Sequence, residues 1–150
     1  MAYTPFTLQP ASPGDQAPIK NLVRASGINP FGLHWSRFIV AVDQNSHLIG
    51  CGQVKRHRDG TRELASIAVR TDWRSQGIAR DIINELQQLH GRPLWLTCIS
   101  PLVSFYEPLG FVVIEDRQQM PRYFRHAERL FNLYLWIRRA NFRLAVMAWH

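Results

Sequence analysis

The chain has 150 residues, a net charge of +7 and an apolar content that is ordinary for a globular protein. This length predicts one domain over residues 1–150 with a sizeable hydrophobic core. No run of about 20 apolar residues occurs, so no transmembrane helix is expected.

Three further features favour a reduced, cytoplasmic protein without a metal site. The first five residues lack the basic and apolar regions of a secretory signal. Cys51 and Cys98 have no CxxC spacing, as is typical of reduced thiols in the cytosol. The six histidines are scattered, with neither HxxxH nor HExxH spacing, and this argues against a bound metal.

The positive charge is concentrated near the C-terminus. Residues 1–116 contain 11 Lys and Arg against 10 Asp and Glu, whereas residues 117–150 contain seven Arg and one acidic residue, Glu128. The body of the protein is therefore nearly neutral, and the basic character belongs to the C-terminal segment.

The first third of the chain predicts a strand, a helix and a hairpin. Residues 6–9 are expected to form a strand, and Asp15 is expected to N-cap a helix whose inner face carries three apolar residues: Ile19, Leu22 and Val23. Residues 38–42 and 47–54 predict two strands joined by a turn at 43–46.

Some residues of this region permit two interpretations. Gly50 and Gly52 would weaken a strand interior, which indicates either a bulge or a close backbone contact. His34 and Trp35 either line a substrate pocket or pack at the end of a helix connection. The charged run over 55–60 is either a solvated hairpin turn or a patch that attracts an anionic ligand.

The chain is organised around a strand, a tight loop and a helix start over residues 63–80. Residues 64–69 predict a buried strand, and a helix follows whose apolar residues recur at helical spacing: Ile78, Ile82, Ile83, Leu86 and Leu89. Gly91 occupies the expected C-cap position. The intervening loop directs unpaired N–H groups and the positive end of the helix dipole toward one point, which predicts an anion site suited to a diphosphate.

The next elements complete the predicted sheet. Residues 94–98 are expected to form a strand parallel to the 64–69 strand, and a short helix over 101–108 carries Tyr106. Residues 111–115 predict another strand, and the final strand over 142–149 is expected to lie antiparallel beside it.

An Arg-rich helical insertion occupies residues 117–140, before the final strand, with its helix over 121–139. The helical period predicts an apolar face made of six residues: Tyr123, Ala127, Leu130, Phe131, Tyr134 and Ile137. This helix either packs on its own domain or on a second subunit, as in a homodimer, or lies on a membrane surface. Nucleic-acid binding is not expected because no binding motif is present.

Two motifs carry a resemblance to a known family. Ile67-Ala68-Val69 followed by Arg74-x-x-Gly77-x-Ala79 resembles motif A of the GNAT family, the acetyl-CoA-dependent N-acetyltransferases. The stretch over 104–111 resembles the family's Phe-Tyr-x-x-x-Gly-Phe. The resemblance covers residues 6–116 and implies an α/β fold: a mixed, mostly antiparallel sheet of six to seven strands flanked by helices, here with an extra helix before the last strand.

The resemblance also implies a site. Acetyl-CoA would be the acetyl donor, without a metal, held by ten residues: Ile67, Ala68, Val69, Arg74, Ser75, Gln76, Gly77, Ile78, Ala79 and Arg80. The family tyrosine that protonates the leaving thiolate corresponds to Tyr106. Many relatives have Asn at the position of Ser100, so a cofactor contact there is either lost or made by the shorter hydroxyl.

Glu63 lies where some relatives carry a catalytic base, and strand alternation would place it on one face with Ala65 and Ile67. The alternative is an exposed glutamate paired with Arg62 or Arg56. The predicted function is transfer of acetyl from acetyl-CoA to a primary amine, on a small molecule or a protein, by direct attack in a ternary complex. The alternative is a non-catalytic acyl-CoA-binding module that docks through its Arg-rich helix.

Overall fold

The computed structural model describes residues 5–150 and contains seven strands and four α-helices in that part of the chain. The absence of a secretory signal was predicted from residues 1–5, of which residues 1–4 lie outside the described residues. The elements are β1 (Thr7–Pro10), α1 (Gln16–Ala25), β2 (Phe38–Val42), β3 (Leu48–Arg56), β4 (Arg62–Val69), α2 (Ile78–His90), β5 (Leu94–Ile99), α3 (Val103–Tyr106), β6 (Val112–Val113), α4 (Arg122–Ile137) and β7 (Leu144–Trp149).

The strands form one mixed sheet in the order β1-β2-β3-β4-β5-β7-β6. β4 pairs with β5 in parallel at Glu63 and Trp95, and the pairs β1/β2, β2/β3, β5/β7 and β6/β7 are antiparallel. The predicted fold class, including the extra helix before the last strand, is therefore confirmed.

The chain divides into two compact units. The first contains the residues up to Lys55 together with Leu64–Gly91, and the second contains Arg56–Glu63 together with Arg92–His150. The expectation of a single domain over residues 1–150 stays a prediction.

In the first unit, α1 buries Ile19, Leu22 and Val23 as predicted, in a core cluster that includes residues of β2. Gly52 explains how closely α2 approaches the sheet. A Cβ at Gly52 would lie 2.6 Å from the Ile67 side chain and 2.7 Å from that of Ile82. The close contact expected at this glycine is therefore present, because no larger residue leaves room for the isoleucines.

In the first unit, the Asp15 expectation is confirmed in position but not in its hydrogen bond, and the Leu89 expectation was wrong. Asp15 occupies the N-cap position of α1, but its side chain makes no cap hydrogen bond there. Its carboxylate instead accepts a hydrogen bond from the backbone N–H of Ser12, at 2.8 Å, and so caps the short 3₁₀ turn Pro13–Asp15. Leu89 is exposed, unlike the other apolar residues of α2, because it lies in the last turn of a helix that ends at His90.

In the second unit, β7 lies between β5 and β6. The predicted strand over 111–115 is shorter than expected, since only Val112–Val113 pair regularly at this edge of the sheet. Ile114 adds one further hydrogen bond, from its N–H to the carbonyl of Val146, at 2.9 Å. The final strand begins at Leu144 and lies antiparallel beside β6, as predicted.

The inserted helix α4 packs through a different face from the one predicted. Its buried residues are Phe124, Glu128 and Leu135, whereas Leu130 and Ile137 of the predicted face are exposed. Polar contacts accompany this orientation. The Glu128 carboxylate accepts a hydrogen bond from Nε of Arg117 at 2.8 Å, and an apolar period does not predict a buried glutamate.

Candidate active site

The loop between β4 and α2 lies entirely in the first unit. After β4 the chain makes a 3₁₀ turn over Thr71–Trp73, and then Ser75 and Gly77 adopt left-handed backbone conformations with φ of 65° and 81°. Gly77 is the N-cap residue of α2. Because the first N–H groups of a helix lack intrahelical partners, the amides that follow Gly77 provide donors for an anion.

Arginine side chains surround this loop. Nε of Arg74 donates to the carbonyl of Val69 at 3.3 Å, which holds the arginine against the end of β4. A Cβ at Gly77 would lie 3.0 Å from Nη2 of Arg80, so the Arg80 guanidinium lies against the loop backbone. Arg70 pairs with Asp72 at 2.9 Å. The loop therefore combines helix N–H groups with two exposed guanidinium groups, those of Arg74 and Arg80, as an anion site requires.

Among the described residues, each unit contains a cavity. An open cavity of about 420 Å³ lies beside the loop in the first unit and is lined by Val69, Arg70 and Arg74, among others. A larger cavity of about 700 Å³ in the second unit is lined in part by Glu128 and Arg143, and neither Glu63 nor Tyr106 lines it. Of the residues predicted to bind the cofactor, Val69 and Arg74 thus border the smaller cavity.

β4 contains a backbone feature that the sequence did not reveal. Ser66 has a φ of 59°, so regular alternation of strand faces does not continue through this residue. Alternation alone therefore does not align Ile67, beyond Ser66, with Glu63 and Ala65. The amide of buried Gln53 donates to Oγ of Ser66 at 2.8 Å and so fixes the distortion. Serine carries no strong signal for a positive φ, which is why the pattern predicted a regular strand.

The strand residues predicted to bind the cofactor differ in burial. Ala68 is buried, and Ile67 and Val69 are half-buried. Cys51, also buried, lies with its Sγ 3.5 Å from the carbonyl of Ser66. Burial raises the pKa of the Cys51 thiol to about 12, which keeps it protonated at neutral pH.

Glu63 lies in the second unit, within a cluster that sequence reasoning missed. It is only 6% exposed, which contradicts the alternative of an exposed glutamate. Nε2 of His57, in the hairpin turn between β3 and β4, lies 3.1 Å from Oε1 of Glu63. The ring of Tyr123, from α4, stacks on His57 with a centroid separation of 3.9 Å and an angle of 24°.

The same cluster perturbs the tyrosine. Burial raises the pKa of Tyr123, and the charge of Glu63 raises it further. Only weak signals for these contacts are present in the sequence: His57 lies in the charged run over 55–60, and Tyr123 belongs to the predicted apolar face of the inserted helix. Only the packing of α4 brings the two rings together.

Tyr106 lies at the end of α3 in the second unit and is half-buried. Its ring makes edge contacts with Phe105 and Phe111, at centroid distances of 5.0 and 6.0 Å. Burial raises the pKa of the Tyr106 phenol well above its usual range, and Cys98 adds to the effect. The phenol therefore remains protonated at neutral pH and is a hydrogen-bond donor.

Gly110, the glycine of the same motif, is required by the local backbone and packing. Gly110 has a φ of 95°, and a Cβ there would lie 2.9 Å from the Trp149 ring. The motif thus specifies a turn that no other residue fits without displacing Trp149 of β7.

Ser100, the departure from the family pattern, has a structural role. Its Oγ accepts a hydrogen bond from the backbone N–H of Arg143 at 3.1 Å, and its own N–H donates to the Arg143 carbonyl at 2.7 Å. The hydroxyl therefore joins the end of β5 to the residue before β7.

Trp35 and His34 have different surroundings. The N–H of Trp35 donates to the Gln16 side chain at 2.7 Å, and the indole packs against the core of the first unit. His34 is exposed and caps the 3₁₀ turn Trp35–Arg37. Within residues 5–150, no group of three or more His, Cys, Asp or Glu side chains is arranged to hold a metal. None of the helices in this range combines the length and the hydropathy that a membrane span requires.

A family model described as an acetyltransferase (GNAT) domain matches residues 34–113. The chain belongs to the GNAT acetyltransferase family. The match includes β4, the loop, α2 and Tyr106, so the motif residues lie within the region that defines membership. No curated protein matches the chain in sequence.

Solved structures of GNAT acetyltransferases share the fold at low sequence identity. N-acetylglutamate synthase from Neisseria gonorrhoeae, solved with coenzyme A and N-acetyl-glutamate, has a TM-score of 0.70 and 18% identity over 99% of this chain. This chain spans 36% of that protein's length.

Two further structures match over nearly the whole of both chains. A Mycobacterium tuberculosis protein solved with CoA has a TM-score of 0.68 and 19% identity, covering 93% of this chain and 97% of that chain. Diaminobutyrate acetyltransferase from Paenibacillus lautus, solved with L-2,4-diaminobutyric acid and coenzyme A, has a TM-score of 0.64 and 17% identity, covering 97% and 94%. At these identities the likeness establishes the fold.

Proposed function

We propose that the protein is an N-acetyltransferase that moves the acetyl group of acetyl-CoA to a primary amine by direct attack in a ternary complex. The observation that carries this proposal is the Arg74–Ala79 loop, with its left-handed Gly77 at the start of α2, in a chain of the GNAT family. Family membership favours catalysis over the alternative of a non-catalytic binding module.

The loop is proposed to bind the diphosphate of acetyl-CoA. The amides of residues 75–80 and the Arg74 side chain would donate hydrogen bonds to it, and Arg80 would add charge. Hydrogen bonds to charged groups are worth roughly 1.5–3 kcal/mol each. The backbone of Ile67, Ala68 and Val69 is proposed to bind the rest of the coenzyme, and amides near Ala68 and Val69 to stabilise the oxyanion.

Glu63 is proposed as the general base. An amine with a pKa near 10.4 is protonated at neutral pH, and deprotonating it costs roughly 4–5 kcal/mol at about 1.36 kcal/mol per pH unit. A buried carboxylate held by a hydrogen bond from His57 is suited to accept that proton, directly or through a water molecule.

Tyr106 is proposed to act on the leaving group. Attack of the amine on the thioester breaks the carbon–sulfur bond and leaves a CoA thiolate, which needs a hydrogen-bond donor or a proton. The raised pKa of Tyr106 keeps its phenol protonated, so the donor is present when the thiolate forms. Cys98, whose pKa burial raises to about 11, stays a neutral thiol and takes no part as a nucleophile.

The acceptor is proposed to be a primary amine, and amino acids are the first candidates to test. The similar structures were solved with N-acetyl-glutamate and with L-2,4-diaminobutyric acid. A panel of L-glutamate, L-2,4-diaminobutyrate, a polyamine, an arylalkylamine and a peptide N-terminus covers the main amine classes. Release of free thiol from acetyl-CoA, confirmed by mass of the acetylated product, identifies the acceptor.

The decisive experiment compares Glu63→Gln and Tyr106→Phe with the unsubstituted protein on that acceptor. Loss of a positioned acid or base is expected to lower kcat by about 10²-fold or more. Full turnover in Glu63→Gln, with an unchanged pH–rate profile, would remove Glu63 as the base. Thiol release from none of the amines, despite tight acetyl-CoA binding, would instead support the binding-module alternative.

Coenzyme binding is tested separately by calorimetry. Arg74→Ala is expected to weaken acetyl-CoA binding about 10-fold, since it removes one charge-assisted contact and leaves the loop amides in place. Lys20→Ala, which removes an exposed cation on α1, is the matched control and should bind normally. Equal affinities for both variants would contradict the role of Arg74.

A further inference from the structure

We propose that His57 is a positioning residue for Glu63 and that Tyr123, from the inserted helix α4, holds the His57 ring in place. This inference rests on the proposed function, because it concerns the base of the same reaction. It gives the insertion a role in catalysis that neither motif of the family contains.

The geometry places His57 between the carboxylate and the inserted helix. One edge of the imidazole directs Nε2 to Oε1 of Glu63 at 3.1 Å, and one face stacks on Tyr123 at 3.9 Å. The edge of Phe124 closes a second side, at 5.8 Å and 81°. The ring is therefore held in one orientation by contacts from two residues of α4.

The backbone of the hairpin turn fixes the other end of the histidine. The N–H of His57 donates to the carbonyl of Thr61 at 2.8 Å, and the N–H of Gly60 donates to the carbonyl of His57 at 3.0 Å. Its side chain remains 19% exposed and that of Glu63 only 7%. A residue fixed at both ends, beside a nearly buried carboxylate, suits orientation of that carboxylate rather than independent chemistry.

The hydrogen bond between Nε2 of His57 and Oε1 of Glu63 indicates which of the two groups carries the proton. An ionised carboxylate only accepts hydrogen bonds, so His57 donates Nε2–H to Glu63 before the reaction. A hydrogen bond to the charged form of an acid favours that form. When the acceptor ammonium loses its proton, an N–H bond breaks and an O–H bond forms on Glu63, and His57 holds the carboxylate in position for the transfer.

The charged and titratable groups around His57 are few among the described contacts. Glu63 lies at its Nε2, the phenol-bearing ring of Tyr123 stacks on its face, and Asp59 in the same turn interacts with it through charge. Hydrogen bonds from Thr61 lower the pKa of Asp59, and His57 contributes to the same shift. Asp59 thus stays ionised and contributes a fixed negative charge beside the pair.

The test measures kcat against pH for His57→Ala and His57→Gln, with the acceptor identified by thiol release. His57→Ala is expected to lower kcat roughly 10- to 100-fold, the equivalent of a hydrogen bond to a charged group. The acidic limb of its profile should move to higher pH, because the hydrogen bond that favours the ionised carboxylate is lost. His57→Gln keeps a donor and should recover much of the lost rate.

The stacking contact is tested in parallel. Tyr123→Ala should shift the profile in the same direction as His57→Ala, whereas Tyr123→Phe keeps the ring and should behave like the unsubstituted protein. His47→Ala is the matched control, because His47 also faces a carboxylate, that of Asp43 at 3.5 Å, in the turn before β3. It should leave kcat and the profile unchanged.

Failure of this inference is distinguishable from failure of the proposed function. In a Glu63→Gln background, His57→Ala should cause little further loss, because the two residues act as one unit. If Glu63→Gln is slow but His57→Ala has normal kcat and an unshifted profile, the positioning role is wrong and the base assignment stands. Imidazole ¹⁵N NMR adds a readout independent of activity: His57 should show the Nε2–H tautomer, and a ring with Nδ1–H alone would overturn the proposal.

A second surface supports an independent inference. Four residues of α4 form what we call the outer stripe: Leu130, Leu133, Tyr134 and Ile137. They recur at i, i+3, i+4 and i+7, and each is between 52% and 67% exposed. Trp136, 76% exposed, lies in the same two turns. Because isolated exposed apolar residues need no explanation but a contiguous stripe does, this surface is expected to bind a partner.

Charge determines which partner fits. The exposed arginines of this helix and its end include Arg122, Arg129, Arg138 and Arg139, and the acidic residue of the segment, Glu128, is buried and paired. A second copy would bring the same arginines to the same stripe, which is repulsive, whereas an anionic surface would neutralise them. We infer that the outer stripe binds an anionic lipid surface, since aliphatic and Trp side chains flanked by Arg suit the headgroup boundary.

Vesicle co-sedimentation of the full chain tests this inference. Binding is expected to vesicles that contain phosphatidylglycerol, and not to phosphatidylcholine alone, and to fall as salt is raised. Leu130→Ser with Ile137→Ser should abolish binding, whereas Leu89→Ser, at an exposed leucine of α2, is the matched control and should not. Any of three results would overturn this inference. The first is equal vesicle binding by the Leu130→Ser/Ile137→Ser and Leu89→Ser variants, and the second is no vesicle binding by the unsubstituted protein. The third is a dimer in light scattering that Leu130→Ser dissociates.

Discussion

Helices α2 and α4 are both amphipathic, yet the helical period predicted the buried face of one and not of the other. In α2 the expected residues Ile78, Ile82, Ile83 and Leu86 are buried. In α4 the apolar residues extend around more than half of the helix, and the residues that pack are Phe124, Glu128 and Leu135. A narrow apolar stripe has one way to pack, whereas a wide one has several, and polar partners then decide.

The polar partners of α4 are specific. Asn132 pairs with both backbone groups of Leu144, accepting from its N–H at 2.7 Å and donating to its carbonyl at 3.2 Å. Glu128 accepts from Arg117 and from Asn132. These contacts attach α4 to β7 and to the 3₁₀ turn that precedes α4. An ion pair and an amide thus position α4, whereas aliphatic residues position α2.

The largest expected loss of stability is in α2, whose buried face the helical period predicted. Ile82→Ala in α2 removes a fully buried side chain that lies against Gly52. The free energy of unfolding should fall by about 2–5 kcal/mol, because a cavity adds to the lost transfer energy. Urea unfolding measures this, and a loss below about 1 kcal/mol would show that α2 is not held by its apolar stripe.

A smaller effect is expected at the polar contacts of α4. Glu128→Ala removes the acceptor of Arg117 and Asn132, and the free energy of unfolding should fall by about 1.5–3 kcal/mol. The exposed part of Arg117 returns to water, which limits the loss. If the variant is as stable as the unsubstituted protein in urea, apolar packing of Phe124 and Leu135 alone orients the helix.

The same contact predicts a dependence on pH. Burial opposes ionisation of Glu128, but hydrogen bonds from Arg117 and Asn132 outweigh it, so its pKa is lowered from the ordinary value of 4.5. An acid whose folded-state pKa is lowered contributes stability above its unfolded pKa and loses it as the pH falls through the folded value. The stability difference from Glu128→Gln should therefore be full at pH 6–7 and shrink below about pH 4.5; a difference that is constant down to pH 3 would contradict this.

The smallest effect is expected on the outer stripe. Leu130→Ser changes an exposed residue of the face that the period had assigned to the core, and stability should change by no more than about 0.5 kcal/mol. A loss of several kcal/mol in dilute protein would show that this face is covered by the rest of the chain. Combined with Ile137→Ser, it is also used in the vesicle experiment, where the effect on binding is separate from the effect on stability.

Sequence reasoning was strongest where local signals agreed. The strand, loop and helix over residues 64–90 combine a short apolar run, a glycine at a left-handed N-cap and a single apolar stripe, each set by neighbouring residues. It was weakest at the ends of elements and at contacts between distant segments. β6 is two residues long because it lies at the edge of the sheet, and the strand distortion at Ser66 depends on Gln53, which is remote in sequence.

The sequence by itself determined the family, the mixed sheet and the loop between β4 and α2, because these follow from motifs and periods within about 30 residues of chain. Only the tertiary structure decided which face of α4 is buried and which groups surround Glu63. His57 and Tyr123 are 66 positions apart, and Arg117 and Glu128 pair across a turn and a helix. Such contacts depend on how elements pack against one another, and the local periodicity of side chains does not predict that packing.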